Sequence, residues 1–320
     1  MEFDNSYFKG EEREGFFVEE KMKRAWAAQI EVLEEVRRIC QKNGISYYAG
    51  YGTLLGAVRH KGFIPWDDDT DLFMIRDDYE KFCGIVQQEV PKGYKLLNIY
   101  TQPDYTEVFS RLINSDMIDF SKERLRMFHG CPYAVGVDIF PLDYLPRDEE
   151  EAQLRQDLYA FVMQVKIRVE KNEEIQEEWL DQIEDLCKVK IEKDKPLLRQ
   201  LIILMDRLSS LYHRDESDEV TMLHSYVNGF MRSMKLEWFQ GTVWLPFENT
   251  EIAVPQNYKE CTRAVYGDNY MTPKRYKAHD YPFYAKQDKI ILKMIEKKKQ
   301  EQMQNQIRLQ EQEKGADAGI

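Results

Sequence analysis

Four aspartates fall within five positions, Asp67 to Asp71, directly before the apolar run 72–75. In an extended chain, residues two apart share a face, so Asp69 and Asp71 are predicted to point the same way. Two carboxylates on one strand face repel each other unless a cation or a proton lies between them. A divalent ion with oxygen ligands meets this need, and phosphate oxygens commonly complete its coordination.

The residues before this acidic run decide how it is interpreted. An acidic run by itself is usually a solvated surface loop. Here it follows a glycine-bearing turn, Gly52-Thr53, and the basic triplet Arg59-His60-Lys61. Glycine allows a phosphate to approach the backbone closely, and basic side chains donate charge-assisted hydrogen bonds to it. The segment therefore predicts a metal–phosphate site.

A third carboxylate lies further along the chain. Asp138 stands alone between the apolar residues Val137 and Ile139, as on a buried strand. Buried aspartates are rare unless they are paired or coordinate a metal. Asp143 is a weaker candidate, because Pro141 is predicted to end this strand.

Composition excludes several classes of protein. The formal net charge is −12, from 45 basic and 57 acidic residues, which argues against nucleic acid as a partner. Five cysteines without a CxxC pair exclude zinc-ribbon and disulfide frameworks and indicate free thiols. The N-terminal residues lack a signal-peptide pattern, and no apolar run approaches the ~20 residues of a membrane helix. We predict a location in the cytoplasm, including the inner face of a membrane.

The pattern along the chain predicts a mixed α/β protein with a helical insertion. Residues 1–147 combine helical and strand-like periods, beginning with a helix over 18–43. Residues 148–234 have almost entirely helical character, and 235–285 return to short aromatic and β-prone pieces. The charged segment 286–320 is predicted to be an exposed helix that frays. We therefore expect one catalytic domain, formed by 1–147 and 235–285, with an insertion at 148–234.

The segment 51–71 resembles the signature of the LicD family, phosphotransferases for phosphocholine and related groups with fukutin-related proteins as distant relatives. The segments 137–143, 247–258 and 266–268 also resemble this family. Membership implies a nucleotidyltransferase-like fold, a mixed β-sheet flanked by helices, with variation in the helical middle.

The resemblance also implies site residues. The superfamily pattern is a Gly-Ser or Gly-Gly turn, two carboxylates one residue apart, and a third carboxylate on a later strand. Here Gly52-Thr53 corresponds to the turn, Asp69 and Asp71 to the pair, and Asp138 to the third carboxylate. Thr53 departs from the usual serine or glycine, and the gap to Asp69 is long. Asp67 and Asp69 are an alternative pair.

The implied reaction transfers a phosphocholine group from a CDP-linked donor, most simply CDP-choline. The acceptor would be a hydroxyl of a surface glycan, such as lipopolysaccharide or teichoic acid, or of its lipid-linked precursor. Mg²⁺ (or Mn²⁺) would be held by Asp69 and Asp71, and Asp138 would bind a second metal or accept the acceptor's proton. The residues expected to contact the substrate are Gly52, Thr53, Arg59, His60, Lys61 and Trp66.

Two questions stay open at the level of sequence. If the group is choline, its quaternary ammonium needs aromatic faces, and the nearby candidates are Tyr47, Tyr48, Tyr51, Trp66, Trp238 and Trp244. His279 is a further candidate. The alternatives are a transferase for phosphoethanolamine or glycerol phosphate on the same scaffold, and a catalytically inactive binding or scaffold protein.

Overall fold

The computed structural model describes residues 1–275 and 281–317 and confirms the predicted mixed α/β class, with a mixed sheet flanked by helices. The strands are β1 (Glu11–Arg13), β2 (Phe16–Val18), β3 (Tyr48–Ala49), β4 (Asp71–Ile75), β5 (Lys95–Leu97), β6 (Ser110–Ile113), β7 (Gly136–Leu145), β8 (Glu219–Thr221), β9 (Met234–Lys235), β10 (Thr242–Phe247) and β11 (Thr250–Pro255). The helices are α1 (Glu20–Asn43), α2 (Tyr51–Arg59), α3 (Arg76–Glu89), α4 (Lys122–Met127), α5 (Glu149–Glu170), α6 (Glu177–Cys187), α7 (Leu197–Ser209), α8 (Leu223–Val227), α9 (Tyr258–Tyr266) and α10 (Pro282–Asp317).

The main sheet has the strand order β3-β4-β7-β6-β5, and β8 and β9 extend it from the later part of β7. Strands β4 and β7 are parallel, and their register places Asp71 directly beside Asp138. The other pairs of this sheet are antiparallel. The parallel pair therefore joins two acidic residues that are 67 positions apart in the sequence.

Helix α1 packs along the sheet and supplies much of the core. Its apolar residues recur at helical spacing, and Trp26, Ile30 and Leu33 are fully buried. The helix ends at Gly44, whose φ of 60° is the left-handed conformation that glycine adopts without steric cost. The sequence prediction of a helix over 18–43 is accurate to two residues.

Helices α5, α6 and α7 form a unit with its own apolar cluster, which includes Tyr159, Val162, Leu201 and Met205. Sequence analysis predicted an almost entirely helical segment over 148–234, but the chain returns to the sheet at β8, before residue 234. A three-residue strand carries too short a pattern to be recognised among helices.

The prediction that Pro141 ends its strand is wrong, because β7 continues to Leu145. On one side β7 pairs with β4 from Asp138 to Leu142, and so on both sides of Pro141. On the other side its pairing with β6 stops at Ile139, and its pairing with β8 starts at Asp143. On that edge Pro141 therefore lies between the residues that pair with β6 and those that pair with β8. The N–H that proline lacks has no strand to bond there, so its absence costs little stability.

Two antiparallel hairpins, β1–β2 and β10–β11, lie outside the main sheet. The five cysteines are free, as predicted. Among the described residues, no helix combines the length and apolar character that crossing a bilayer requires.

Candidate active site

Hydrogen bonds fix the start of β4 against the start of α2. The Gly50 N–H donates to the Asp71 carbonyl at 2.8 Å. The Asp71 N–H in turn donates to Thr53 Oγ1 at 2.8 Å. These bonds hold the segment of four aspartates beside the first turn of the helix.

A cleft of about 350 Å³ opens at this junction. Asp67, Asp69 and Asp71 all line it, so both carboxylate pairs considered from the sequence face the same space. Its other lining residues are Tyr51, Gly52, Leu55, Arg59, Ile64, Trp66, Tyr266, Asn269, Tyr270, Thr272 and Lys274.

The position of the Asp67 carboxylate favours glycine at residue 52. A Cβ atom on residue 52 would lie 2.4 Å from the Asp67 Oδ2 atom, so the Asp67 carboxylate would have to move. Glycine thus lets a carboxylate reach the first turn of α2.

Burial and mutual repulsion set the electrostatics of the cleft. Burial, and then the neighbouring charge of Asp69, raise the pKa of Asp67 well above its usual value. Burial, and then the charges of Asp69 and Asp138, raise the pKa of Asp71 in the same way. Carboxylate oxygens of Asp67, Asp68 and Asp69 lie within 4.8 Å of one another. Asp69 belongs to this group and lines the cleft together with Asp71. These all-oxygen donors fit a hard divalent cation, which would relieve the repulsion.

Asp68 differs from its neighbours because its side chain faces the C-terminal helix. Its Oδ2 accepts a hydrogen bond from the Tyr284 N–H at 3.2 Å, at the start of α10. Its carbonyl accepts one from the Gln29 amide at 2.8 Å. Asp68 therefore connects the acidic segment to two helices.

Asp138 is paired with an arginine that the sequence analysis did not single out. Arg111 Nη2 donates to Asp138 Oδ2 at 2.6 Å, and Arg111 Nε donates to the Oδ1 atom. Burial raises the pKa of Asp138, although the Arg111 guanidinium acts in the opposite direction. Asp69 and Asp138 line the same small void beside Arg111. In the sequence, Arg111 is an ordinary basic residue on a short strand; only the β6–β7 register places it beside Asp138.

Asp143, the alternative third carboxylate, lies away from the cleft. Its Oδ1 accepts a hydrogen bond from Arg76 Nε at 2.8 Å, and both side chains are buried. Arg76 also donates to Asp206 of α7 at 3.0 Å. This group joins the sheet to the helical unit.

The predicted phosphate-binding residues are not all in one place. Arg59 lines the cleft and donates to the Tyr270 carbonyl at 2.8 Å. Thr53 is buried, with its hydroxyl accepting from Asp71. Lys61 lines a different cavity, beside β10.

His60 also lies outside the lining of the cleft. Its Nε2 is buried and has no hydrogen-bond partner among the described residues. Burial, helped by the charge of Arg59, lowers the pKa of His60 to about 4. His60 is therefore a neutral ring at neutral pH.

Some of the aromatic candidates line the cleft and others lie elsewhere. Tyr51 and Trp66 line the cleft. Tyr48 is buried with its hydroxyl on the Phe239 carbonyl, and the rings of Tyr47 and Trp244 contact each other. Trp238 packs on the main core. His279 lies outside the described residues.

The lining residues that the sequence analysis did not single out include Tyr266, Tyr270 and Lys274. They follow or end α9, more than 190 positions after the aspartates. Tyr266 belongs to the segment Tyr266-Gly267-Asp268, which resembles the LicD family. This resemblance could have identified Tyr266 as a site residue. Lys274 lies in a basic stretch that carried no signal of its own.

Residues 44–187 match the family model described as "LicD/FKTN/FKRP, nucleotidyltransferase domain". The match includes the four aspartates, Asp138 and the strands β3 to β7. These residues form a LicD-family domain.

The chain is also similar to curated proteins. It is 27% identical to the lipopolysaccharide cholinephosphotransferase LicD of Haemophilus influenzae over 260 residues, which are 76% of the chain and 89% of that protein. An uncharacterized protein of Rickettsia typhi is 31% identical over 37% of the chain and 35% of its own length. One of Rickettsia prowazekii is 39% identical over 20% of the chain and 24% of its own length.

Proposed function

We propose that this LicD-family protein is a phosphotransferase that moves phosphocholine from CDP-choline to a hydroxyl of a cell-surface glycan or its precursor. The observation that carries the proposal is the cleft in which three aspartates, two cationic side chains and aromatic rings meet. The similarity to a lipopolysaccharide cholinephosphotransferase supports the choice of group and of acceptor class.

Asp69 and Asp71 would hold Mg²⁺ (or Mn²⁺), with Asp67 beside them, and the bound ion would offset charge on the donor diphosphate. Arg59 and Lys274 line the same cleft and are placed to donate charge-assisted hydrogen bonds to phosphate oxygens. Phosphoryl transfer depends mainly on positioning and electrostatic stabilisation, so this small set of groups is chemically sufficient.

The transfer itself needs one proton acceptor. The oxygen of the acceptor hydroxyl bonds to the phosphorus that carries choline, and the bond from that phosphorus to the bridging oxygen breaks. CMP leaves with the electron pair, and the hydroxyl proton passes to a carboxylate. Asp138 is the proposed acceptor of this proton, since it adjoins Asp71 and its pKa is raised by burial. Arg111 would fix its orientation.

The rings in the cleft suit a quaternary ammonium, which binds to aromatic faces. Trp66 packs against Leu55 and Ile64 and so presents a fixed ring. Tyr266 and Tyr270 line the same cavity. Together they are the proposed surface for the choline group, in place of Tyr47, Tyr48, Trp238 and Trp244.

The test is metal-dependent release of CMP from CDP-choline by the wild type and by the double variant Asp69→Asn/Asp71→Asn. We expect the double variant to lose at least about 100-fold in rate, because both proposed metal ligands are removed. We also expect Mg²⁺ to raise the melting temperature of the wild type and to leave that of the variant unchanged.

The matched control is Asp181→Asn/Asp185→Asn, which removes two exposed carboxylates from α6. A folded Asp69→Asn/Asp71→Asn variant that releases CMP at the wild-type rate contradicts the proposal. Activity with CDP-ethanolamine or CDP-glycerol alone would reassign the transferred group, and no release from any donor would favour a binding protein.

A further inference from the structure

A second cavity, of about 330 Å³, lies between the main sheet and the helical unit. Tyr51 lines both this cavity and the catalytic cleft, so the two spaces are neighbours on either side of one side chain. The Tyr51 hydroxyl is hydrogen-bonded to Ser225 Oγ of α8 at 2.6 Å, which fixes the ring in this dividing position.

The strand register places this cavity close to the proposed reacting groups. Phe140, which lines the cavity, follows Asp138 by two positions on β7 and so shares its face. Residues two apart on a strand are separated by about 7 Å. The Tyr51 ring packs on Phe140 with 4.9 Å between centroids. A ligand in the second cavity would therefore be separated from Asp138 by about the length of one side chain.

The lining of the second cavity combines aromatic faces with a hydrogen-bond donor and a hydrogen-bond acceptor. Phe109 and Phe140 contact each other at 4.4 Å between centroids, and Phe230, 72% exposed, stands at the edge of the cavity. Lys166 and Glu107 contribute a hydrogen-bond donor and an acceptor. Flat apolar faces with a few placed polar groups suit a sugar ring, which has C–H faces and a rim of hydroxyls.

The cationic residues argue against a second diphosphate site. Arg59 and Lys274, which would contact the donor phosphates, both line the first cleft. The second cavity offers one lysine among the described lining residues, and Lys166 is already paired with Glu170 at 2.7 Å. With so few cationic side chains in its lining, the second cavity suits a neutral or weakly charged ligand better than a nucleotide.

We infer that the second cavity binds the acceptor sugar and presents its hydroxyl to Asp138 past Tyr51. This inference rests on the proposed function, because it divides donor and acceptor between the two spaces. The helical unit then has a role in substrate binding, since its helix α5 supplies Lys166 to the cavity, beside Ser225 of α8.

The test uses two variants at the cavity, Phe230→Ala, which removes the exposed ring, and Thr106→Trp, which fills the space. The probe is oligosaccharide released from lipopolysaccharide by mild acid, and transfer is measured at varied concentrations of oligosaccharide and of CDP-choline. We expect each variant to raise the KM for oligosaccharide about tenfold, because an apolar contact is lost or blocked. Phe120→Ala, which removes another exposed phenylalanine, is the matched control and should leave both KM values as in the wild type.

Binding of the same oligosaccharide, followed by saturation-transfer NMR, separates this inference from the proposed function. A wild type that releases no CMP but binds oligosaccharide through Phe230 contradicts only the proposed function. Variants that bind the oligosaccharide as tightly as the wild type overturn the inference. So does a wild type that binds no oligosaccharide. A rise in the KM for CDP-choline alone would also overturn it, by assigning the cavity to the donor nucleoside.

Discussion

At the scale of single residues, the contact between Gly52 and Asp67 sets how closely the first turn of α2 approaches the carboxylates. Because a Cβ atom would lie 2.4 Å from Asp67 Oδ2, Gly52→Ala must displace that side chain. We expect CMP release to fall about 100-fold, the effect of misplacing a reacting group by roughly 1 Å.

The control for this change is Gly84→Ala, at a helical glycine whose Cβ would meet nothing within 4 Å. It should raise the free energy of unfolding by about 0.5–1 kcal/mol and leave activity unchanged. Equal losses of activity in both variants would show that the Asp67 contact is irrelevant.

His60 gives a pH-dependence of stability with a defined sign. Its pKa is about 4 in the folded protein, below the value of about 6.5 for a free imidazole. Below about pH 6.5 the unfolded chain therefore takes up a proton that the folded chain does not, and stability falls as the pH approaches 4. We expect His60→Gln to remove part of this fall, about 1 kcal/mol after screening by solvent.

Urea unfolding at pH 7 and pH 4.5 measures this difference, with His213→Gln, at an exposed histidine, as the control. The interpretation fails if wild type and His60→Gln lose the same stability between these two pH values.

The residues of the candidate site could be proposed from the sequence where their chemistry is local. The spacing of Asp69 and Asp71 and the isolation of Asp138 among apolar residues are both visible in the chain. Arg111 and Lys274 could not be predicted, because nothing in their own segments distinguishes them from surface cations. Strand register brings Arg111 to Asp138, and the chain that follows α9 brings Lys274 to the cleft.

At the scale of elements, long periodic segments were predictable and short ones were not. The helical spacing of the apolar residues in α1, together with the glycine at its end, predicted the bounds of the helix to within two residues. Strand β8 has three residues, and its place in the sheet depends on pairing with β7 and β9. The continuation of β7 through Pro141 likewise depends on which neighbours it has, which tertiary structure decides.

The buried group of Arg76, Asp143 and Asp206 holds β7, α3 and α7 together. We expect Asp143→Asn to lower the free energy of unfolding by about 3 kcal/mol, since it leaves a buried guanidinium without its nearest counter-charge. Chemical denaturation measures this change.

The matched control is Asp218→Asn, which breaks the exposed pair with Arg147. It should cost less than about 1 kcal/mol, because solvent screens an exposed pair. Similar losses in the two variants would mean that the Arg76–Asp143 pair has no special role in stability.

At the scale of the whole molecule, the start of α10 belongs to the core. Tyr284 is 3% exposed, the Gln287 amide donates to the Ala134 carbonyl at 2.8 Å, and the Tyr133 hydroxyl donates to Asp288 at 2.6 Å. A chain ending at Arg275 should therefore be at least about 3 kcal/mol less stable. A chain ending at Gln300 keeps these contacts and should melt as the full chain does. Equal melting temperatures for the two shortened chains would contradict this.

The hydrogen bond from Tyr284 to Asp68 spans 216 positions of the sequence. At a synthesis rate of roughly 5–20 residues per second, the acidic segment is synthesised about 10 to 40 s before Tyr284 is added. For that interval the aspartates lack one of the contacts that orient their segment. Under the proposed function, an incomplete chain on the ribosome should therefore release CMP more slowly than the complete chain.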